Sequence, residues 1–81
     1  MYQITLKMAR LNKGLTLKEA AKIGGITPRT LSKYEKDSGK AKFDPFMRLV
    51  KAYGVSINQI AIGKENEIMA SLIENINKVV A

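Results

Sequence analysis

The chain has 81 residues, enough for one small core. Its composition, with 46% hydrophobic and 26% charged residues, is that of a folded protein rather than a disordered tail. It has no cysteine and no histidine, which excludes disulfides and zinc sites built on those side chains. General-base chemistry is left to carboxylates, hydroxyls and amines that no motif groups together, so we expect no enzyme activity, no cofactor, no metal and no small-molecule substrate.

The net charge of +7 is concentrated in one part of the chain. Residues 1–63 hold twelve Lys or Arg against four Asp or Glu, a net charge of +8, whereas residues 64–81 hold two against three, a net charge of −1. A basic surface can serve solubility alone, but such asymmetry is more typical of a polyanion-binding domain with a neutral appendage. We see no secretory signal, and residues 68–80 are too short and too polar to span a bilayer, so we expect a cytoplasmic protein without a membrane partner.

Glycines and capping residues mark the first three helices. Gly14 predicts the end of the first. Thr16 and Glu19 have the spacing of a capping box, which predicts the start of a second helix that stops at a Gly-Gly pair. Thr27 followed by a proline predicts the start of the third, because Thr is a good N-cap and Pro is tolerated at the first helical position. The predicted ranges are 3 to 12 or 13, 16 to 24, and 28 to about 36.

Three more helices are predicted after a polar loop at residues 37–40. The fourth carries four apolar side chains on one face. Ser56 and Gln59 have the spacing of a second capping box, which predicts a short fifth helix. The expected fold is therefore all-α, with a compact five-helix domain over residues 1–63 and a C-terminal amphipathic helix within residues 64–81. The predicted ranges are 42–45 to 53, 56 to 63, and about 66 to 80.

The third helix has two chemically different faces. At 100° per residue, one face carries two apolar side chains and one acid, and the other is polar with three cations. A solvated face of an ordinary amphipathic helix has this pattern too. Cations beside a hydroxyl are also what a reader of the DNA major groove needs, because Arg and Lys donate to guanine while Ser and Thr contact bases or phosphates. The inner residues are Leu31, Tyr34 and Glu35, and the outer residues are Arg29, Ser32, Lys33 and Lys36.

A continuous register of short motifs runs through residues 4–62. Its segments are LKMAR at 6–10, GLT and KEAA within 14–21, GIT and TLSKYE within 25–35, and LVKAYGVS at 49–56. In this register the chain resembles the Xre/Cro family of phage-repressor-type helix-turn-helix proteins. The resemblance implies a transcriptional regulator, a repressor from a phage, mobile element or bacterial genome. It would bind a double-stranded operator as a homodimer, with helix 28–36 in the major groove.

The resemblance, together with the outer face of the third helix, implies roles for individual residues. An ion pair between Arg10 and Glu35 would explain the acid on the inner face, because a half-buried carboxylate needs a partner. The expected base-reading residues are Thr27, Pro28, Arg29, Ser32 and Lys33. The expected phosphate contacts are Leu17, Lys18, Thr30, Lys36, Lys40 and Lys42.

Three positions depart from the family's pattern. Leu17 stands where the family often has a DNA-contacting Gln, so that contact falls to Lys18 or to backbone N–H groups. Gly24 stands where a core aliphatic residue is usual, and we expect Ile23 to fill the space. Pro28 replaces a polar reader and leaves an apolar contact, such as one with a thymine methyl. These departures bear on which sequence is bound rather than on binding itself.

An apolar stripe runs along the sixth helix. It either packs on its own domain or forms the interface of a homodimer, and an operator with two half-sites favours the dimer. A membrane-surface role is disfavoured because the polar face carries a single cation. The stripe consists of Ile68, Leu72, Ile73, Ile76, Val79 and Val80.

Two other functions fit parts of the pattern. The antitoxin of a toxin–antitoxin pair would bind DNA through the third helix and a partner protein through the C-terminal helix. A protein-interaction module that does not bind DNA would lack cations on the third helix. Arg29, Lys33 and Lys36 argue against that second alternative.

Overall fold

A computed structural model describes the backbone of residues 3–80 and the side chains of residues 3–73. Within this part of the chain there are five α-helices, two 3₁₀ turns and no strand beyond two isolated bridges, so the predicted all-α fold class is confirmed. The helices are α1 (Leu6–Asn12), α2 (Leu17–Gly24), α3 (Pro28–Lys36), α4 (Phe43–Tyr53) and α5 (Glu65–Val80). The 3₁₀ turns span Ser38–Lys40 and Ile57–Gln59.

Helix α1 begins three residues later than the sequence pattern predicts. Thr5 is its N-cap, since the Thr5 hydroxyl accepts a hydrogen bond from the backbone N–H of Met8 at 3.0 Å. The predicted start at Gln3 was wrong because Ile4 is extended and pairs with a distant segment. The Ile4 N–H donates to Gln59 O at 2.8 Å, and Ala61 N–H donates to Ile4 O at 2.9 Å.

The same pairing explains why the predicted fifth helix is only a single 3₁₀ turn. Ser56 N–H donates to Gln59 Oε1 at 2.8 Å, as the capping pattern anticipates. Only one 3₁₀ turn follows, because Ile60 is extended, pairs with Ile4 and is fully buried. Burial of an apolar side chain in the core therefore ends the turn before a second helical turn can form.

Helix α2, helix α3 and the tight turn between them have the capping residues that the sequence predicts. Glu19 N–H donates to the Thr16 hydroxyl at 3.1 Å, and Thr16 N–H donates to the Glu19 carboxylate at 3.0 Å. Gly25 ends α2 with φ of 70°, a left-handed conformation that glycine adopts without steric cost. Thr27 caps α3 by accepting from Thr30 N–H at 3.1 Å.

The core lies where α1 and α2 both pack against α3 and α4. Its largest fully buried side chains are Leu6, Leu31, Leu49 and Ile60. Gly24 is buried here, and a Cβ at this position would lie 3.2 Å from Leu49 Cδ2, so Leu49 occupies the space. The expectation that Ile23 fills it was wrong, since Ile23 is 44% exposed.

Helix α5 extends away from the globular part of the molecule. Its 16 residues correspond to a length of about 24 Å at 1.5 Å per residue. The molecule measures 43 × 21 × 20 Å, and the principal packing partner of α5 is α3. Within the described residues, no helix is both long enough and apolar enough to cross a membrane.

Candidate nucleic-acid interface

Helix α3 divides the buried from the exposed side chains as its sequence predicts. Leu31, Tyr34 and Glu35 are buried and anchor the helix to α2 and α1. On the opposite side, three cations are exposed and Ser32 is half-buried. The result is a rigidly held helix with a polar, positively charged outer surface. The exposed cations are Arg29, Lys33 and Lys36.

The candidate base-reading residues cluster at the N-terminal half of α3. Thr27, Pro28 and Arg29 are exposed at its start, and Lys33 follows Arg29 by about one helical turn. The Thr27 hydroxyl donates to the Thr30 hydroxyl at 2.9 Å besides capping the helix. Thr27 therefore orients the first turn of α3.

The candidate phosphate contacts lie at the end of α3 and on two elements that flank it. Lys18 is exposed in the first turn of α2, Lys36 at the end of α3, and Lys40 and Lys42 in the loop before α4. Leu17 is different, because its side chain is half-buried and packs against the core. A phosphate contact at that position would come from its backbone N–H, at the positive end of α2.

The turn between α2 and α3 is held by a residue that no sequence motif indicates. Arg48, on α4, donates from Nε to the carbonyl oxygen of Gly24 at 3.1 Å. Its Nη2 would lie 3.5 Å from a Cβ at Gly25, so the guanidinium covers the turn. A cation at the C-terminal end of α2 also interacts favourably with the helix dipole. No local pattern signals this contact, because it depends on how α4 packs.

The buried acid of α3 has an arginine partner on α1. Arg10 Nε lies 2.7 Å from Glu35 Oε2, and Arg10 Nη2 lies 3.3 Å from Glu35 Oε1, so the contact is bidentate. The two side chains are only 9% and 6% exposed. Arg10 Nη1 also donates to Leu15 O at 3.0 Å, which joins α1, the start of α2 and α3.

Tyr53 lies in the electrostatic field of this pair. Burial in the core, reinforced by the negative charge of Glu35, raises the pKa of Tyr53 to about 12, against an opposing effect of Arg10. Among the described residues, its hydroxyl has no hydrogen-bond partner.

At the surface, the backbone N–H and hydroxyl of Thr16 lower the pKa of Glu19 below its ordinary value of 4.5, which keeps the capping carboxylate ionised.

The candidate dimer residues differ in exposure along α5. Ile68 and Leu72 are half-buried, and Ile73 is 54% exposed. The side chains of Ile76, Val79 and Val80 lie outside the described residues. Ile68 and Leu72 also line an open groove of about 520 Å³ between α5 and the segments that contain Gln3 and Asn58.

In the described part of the chain, no group of three or more His, Cys, Asp or Glu side chains is placed to hold a metal ion. No curated protein matches the chain. A protein-family model described as helix-turn-helix matches residues 6–60, about two thirds of the chain and the whole of α1 to α4. The chain therefore belongs to the Xre/Cro type of helix-turn-helix family and is a DNA-binding regulator.

Proposed function

We propose that the protein represses transcription by binding an inverted-repeat operator as a homodimer, with α3 of each copy in a major groove. The observation that carries this proposal is the outer surface of α3. It exposes Arg29, Lys33 and Lys36 on a helix whose opposite face is anchored by buried side chains. A helix held this firmly can present cations to base edges with little loss of conformational entropy on binding.

In this proposal, base reading is the work of the N-terminal half of α3. Arg29 and Lys33 are about 6 Å apart along the helix axis, close enough to reach neighbouring base pairs. Arg29 can donate hydrogen bonds from two guanidinium N–H groups to guanine O6 and N7, the commonest specific contact in the major groove. Thr27, Pro28 and Ser32 complete the reading surface through hydroxyl and apolar contacts.

Phosphate contacts fix the orientation of α3 on the duplex. Lys36 is exposed at the end of α3, and Lys18, Lys40 and Lys42 are exposed on the elements that flank it. Each phosphate contact releases counterions from the DNA. These contacts carry no sequence information, but they supply most of the affinity for any duplex. Thr30 and the backbone N–H of Leu17 add uncharged phosphate contacts.

The dimer forms through α5, which makes residues 1–63 the DNA-binding domain and 64–81 the dimerisation helix. Ile73 is 54% exposed, so the described part of the apolar stripe is open to a second copy at this residue. In a dimer the two α3 helices would face half-sites about 34–36 Å apart, one turn of B-DNA. A dimer seated on a promoter covers the duplex and blocks RNA polymerase.

Selection of bound duplexes from a random pool tests this proposal. The full-length chain should enrich an inverted repeat, because a two-fold symmetric dimer requires a two-fold symmetric site. The double variant Arg29→Ala/Lys33→Ala should enrich no sequence, while its fold, followed by circular dichroism, stays intact. Enrichment of a single asymmetric half-site would contradict the dimer, and absence of enrichment by the wild-type chain would contradict sequence-specific binding.

A further inference from the structure

The base of α5 is tied to the end of α3 by one buried serine. Ser38 is 6% exposed and lies in the 3₁₀ turn that follows α3. Its hydroxyl accepts from Gly63 N–H at 3.0 Å and is 3.0 Å from Ala61 O, to which it donates. Ser38 N–H donates to Gly63 O at 3.0 Å. We call these hydrogen bonds the Ser38 junction.

The Ser38 junction lies between α3, which carries the candidate base-reading residues, and α5, which carries the candidate dimer residues. Helix α3 ends at Lys36 and α5 begins at Glu65. The residues next to these helix ends, Asp37 and Lys64, form an antiparallel bridge. The end of α3 and the start of α5 are therefore joined by backbone hydrogen bonds rather than by a flexible linker.

Two glycines lie beside the Ser38 junction, at positions where a side chain would be strained or crowded. Gly63 has φ of 139°, a conformation that L side chains rarely adopt. A Cβ at Gly39 would lie 3.1 Å from Asp37 Oδ1 and 3.9 Å from Gly63 Cα. Asp37 Oδ1 in turn accepts from Gly39 N–H at 3.1 Å. The loop around Ser38 is thus held on both sides of the serine.

On the basis of the dimer proposed above, we propose that Ser38 is a positioning residue that sets which half-site spacing the dimer accepts. It does so by fixing the angle between α3 and α5. Because α5 is about 24 Å long, a 10° change at its base displaces its far end by about 4 Å, close to the rise of one base pair. The hydroxyl of Ser38 thereby contributes to operator choice without touching DNA.

The inference about Ser38 is tested by measuring binding to duplexes that carry two fixed half-sites at different separations, and to one that carries a single half-site. Wild-type protein is compared with Ser38→Ala, which removes the hydroxyl. The control is Ser71→Ala, the same chemical change at an exposed site on α5. All three proteins are checked by circular dichroism at the assay temperature.

Wild-type protein and Ser71→Ala should lose about tenfold in affinity when the spacing changes by one base pair, since a rigid dimer cannot engage both half-sites. Ser38→Ala should lose only about threefold over the same change, with unchanged affinity for the single half-site. If Ser38→Ala keeps the wild-type spacing preference, the inference is overturned while the proposed function stands. If it weakens the single half-site as much as the double site, Ser38 acts on the reading surface instead, and the inference is also overturned. A wild-type chain that binds without any spacing preference overturns both proposals.

A second measurement needs neither DNA nor a dimer, so its failure is distinguishable from failure of the proposed function. The chain has no cysteine, so spin labels at Lys22→Cys on α2 and Ser71→Cys on α5 report one distance when diluted with unlabelled protein. The distance distribution should be narrow with Ser38 present and broader in the Ser38→Ala background. An equally narrow, unshifted distribution in both backgrounds would overturn the inference.

Discussion

Glu35 lies in an environment that would be unfavourable for a carboxylate without a partner. It is buried, and it lies in the last turn of α3, where the helix dipole disfavours a negative charge. Arg10 compensates for both effects through the bidentate contact and also donates to Leu15 O. One ion pair thus fixes the position of the reading helix relative to α1 and to the start of α2.

Replacing Glu35 with Ala leaves the Arg10 guanidinium buried without a partner. We expect a loss of about 3–5 kcal/mol in the free energy of unfolding, measured by urea denaturation at neutral pH. Glu67→Ala, at an exposed position on α5, is the matched control and should change stability by less than about 0.5 kcal/mol. A loss in Glu35→Ala no larger than that of the control would show that the pair contributes little.

Tyr53 carries a hydroxyl that is buried without a hydrogen-bond partner among the described residues. Its pKa is raised to about 12 because burial disfavours the phenolate. The stability that this shift represents is fully present below pH 10, the ordinary pKa, and is lost as the pH rises through the folded-state pKa.

The variant Tyr53→Phe should therefore be as stable as the wild type at pH 7, or up to about 1 kcal/mol more stable. Above pH 10 it should lose less stability than the wild type, since it has no phenol to ionise. Urea denaturation at pH 7 and above pH 10 measures both effects. A variant that is clearly less stable at pH 7 would indicate a hydrogen bond to this hydroxyl.

At the scale of helices and loops, the cations of the loop before α4 permit a direct test of phosphate binding. Replacing Lys40 and Lys42 with Ala should weaken binding to all duplexes alike. The slope of log K against log salt should fall by about 0.9 for each phosphate that the variant no longer neutralises. The control Lys13→Ala/Lys51→Ala removes the same charge near the far end of α4, about 16 Å from the loop. Equal slopes for the two double variants would show that the loop has no special role in binding DNA.

Helix boundaries set by neighbouring residues could be predicted from sequence, and those set by distant contacts could not. Thr16 with Glu19, and Thr27 with its following proline, place the starts of α2 and α3 correctly, because capping involves residues close in sequence. The start of α1 and the length of the predicted fifth helix were misjudged, because Ile4 and Ile60 pair across the chain.

The candidate site follows the same rule. The two faces of α3 could be predicted from its helical periodicity alone. The contact of Arg48 with Gly24 O and the buried position of Ser38 depend on tertiary packing, so no local pattern indicates them. The position of Leu49 against Gly24 is similar: the missing side chain on α2 is replaced by one from α4 rather than by the neighbouring Ile23.

The contribution of α5 to the whole molecule can be measured by removing it. If α5 is the dimerisation helix, truncation after Gly63 should leave a folded monomer, because the core residues and the Ile4–Ile60 bridge remain. The truncation also removes half-buried Ile68 and Leu72, so we expect a moderate fall in melting temperature. Operator affinity should fall much further, since the two half-sites are no longer linked.

Analytical ultracentrifugation of both chains, free and with DNA, checks this prediction. The full chain should sediment as a dimer and the truncated chain as a monomer. A full-length chain that stays monomeric at high concentration would contradict the dimer. An unfolded truncated chain would show instead that the stripe of α5 belongs to the core of its own domain.

The proposed function depends above all on Arg29, on the outer face of α3, reading a base pair. The most direct measurement compares affinity for the selected operator and for random duplex at one fixed salt concentration. Arg29→Ala should lose about 1–3 kcal/mol on the operator and far less on random DNA, while folding stability stays unchanged because the side chain is exposed. Arg29→Lys keeps the charge but not the bidentate fork, so it should bind random DNA like the wild type and the operator less tightly. If Arg29→Ala weakens binding to both duplexes equally, Arg29 contacts a phosphate and does not read a base pair.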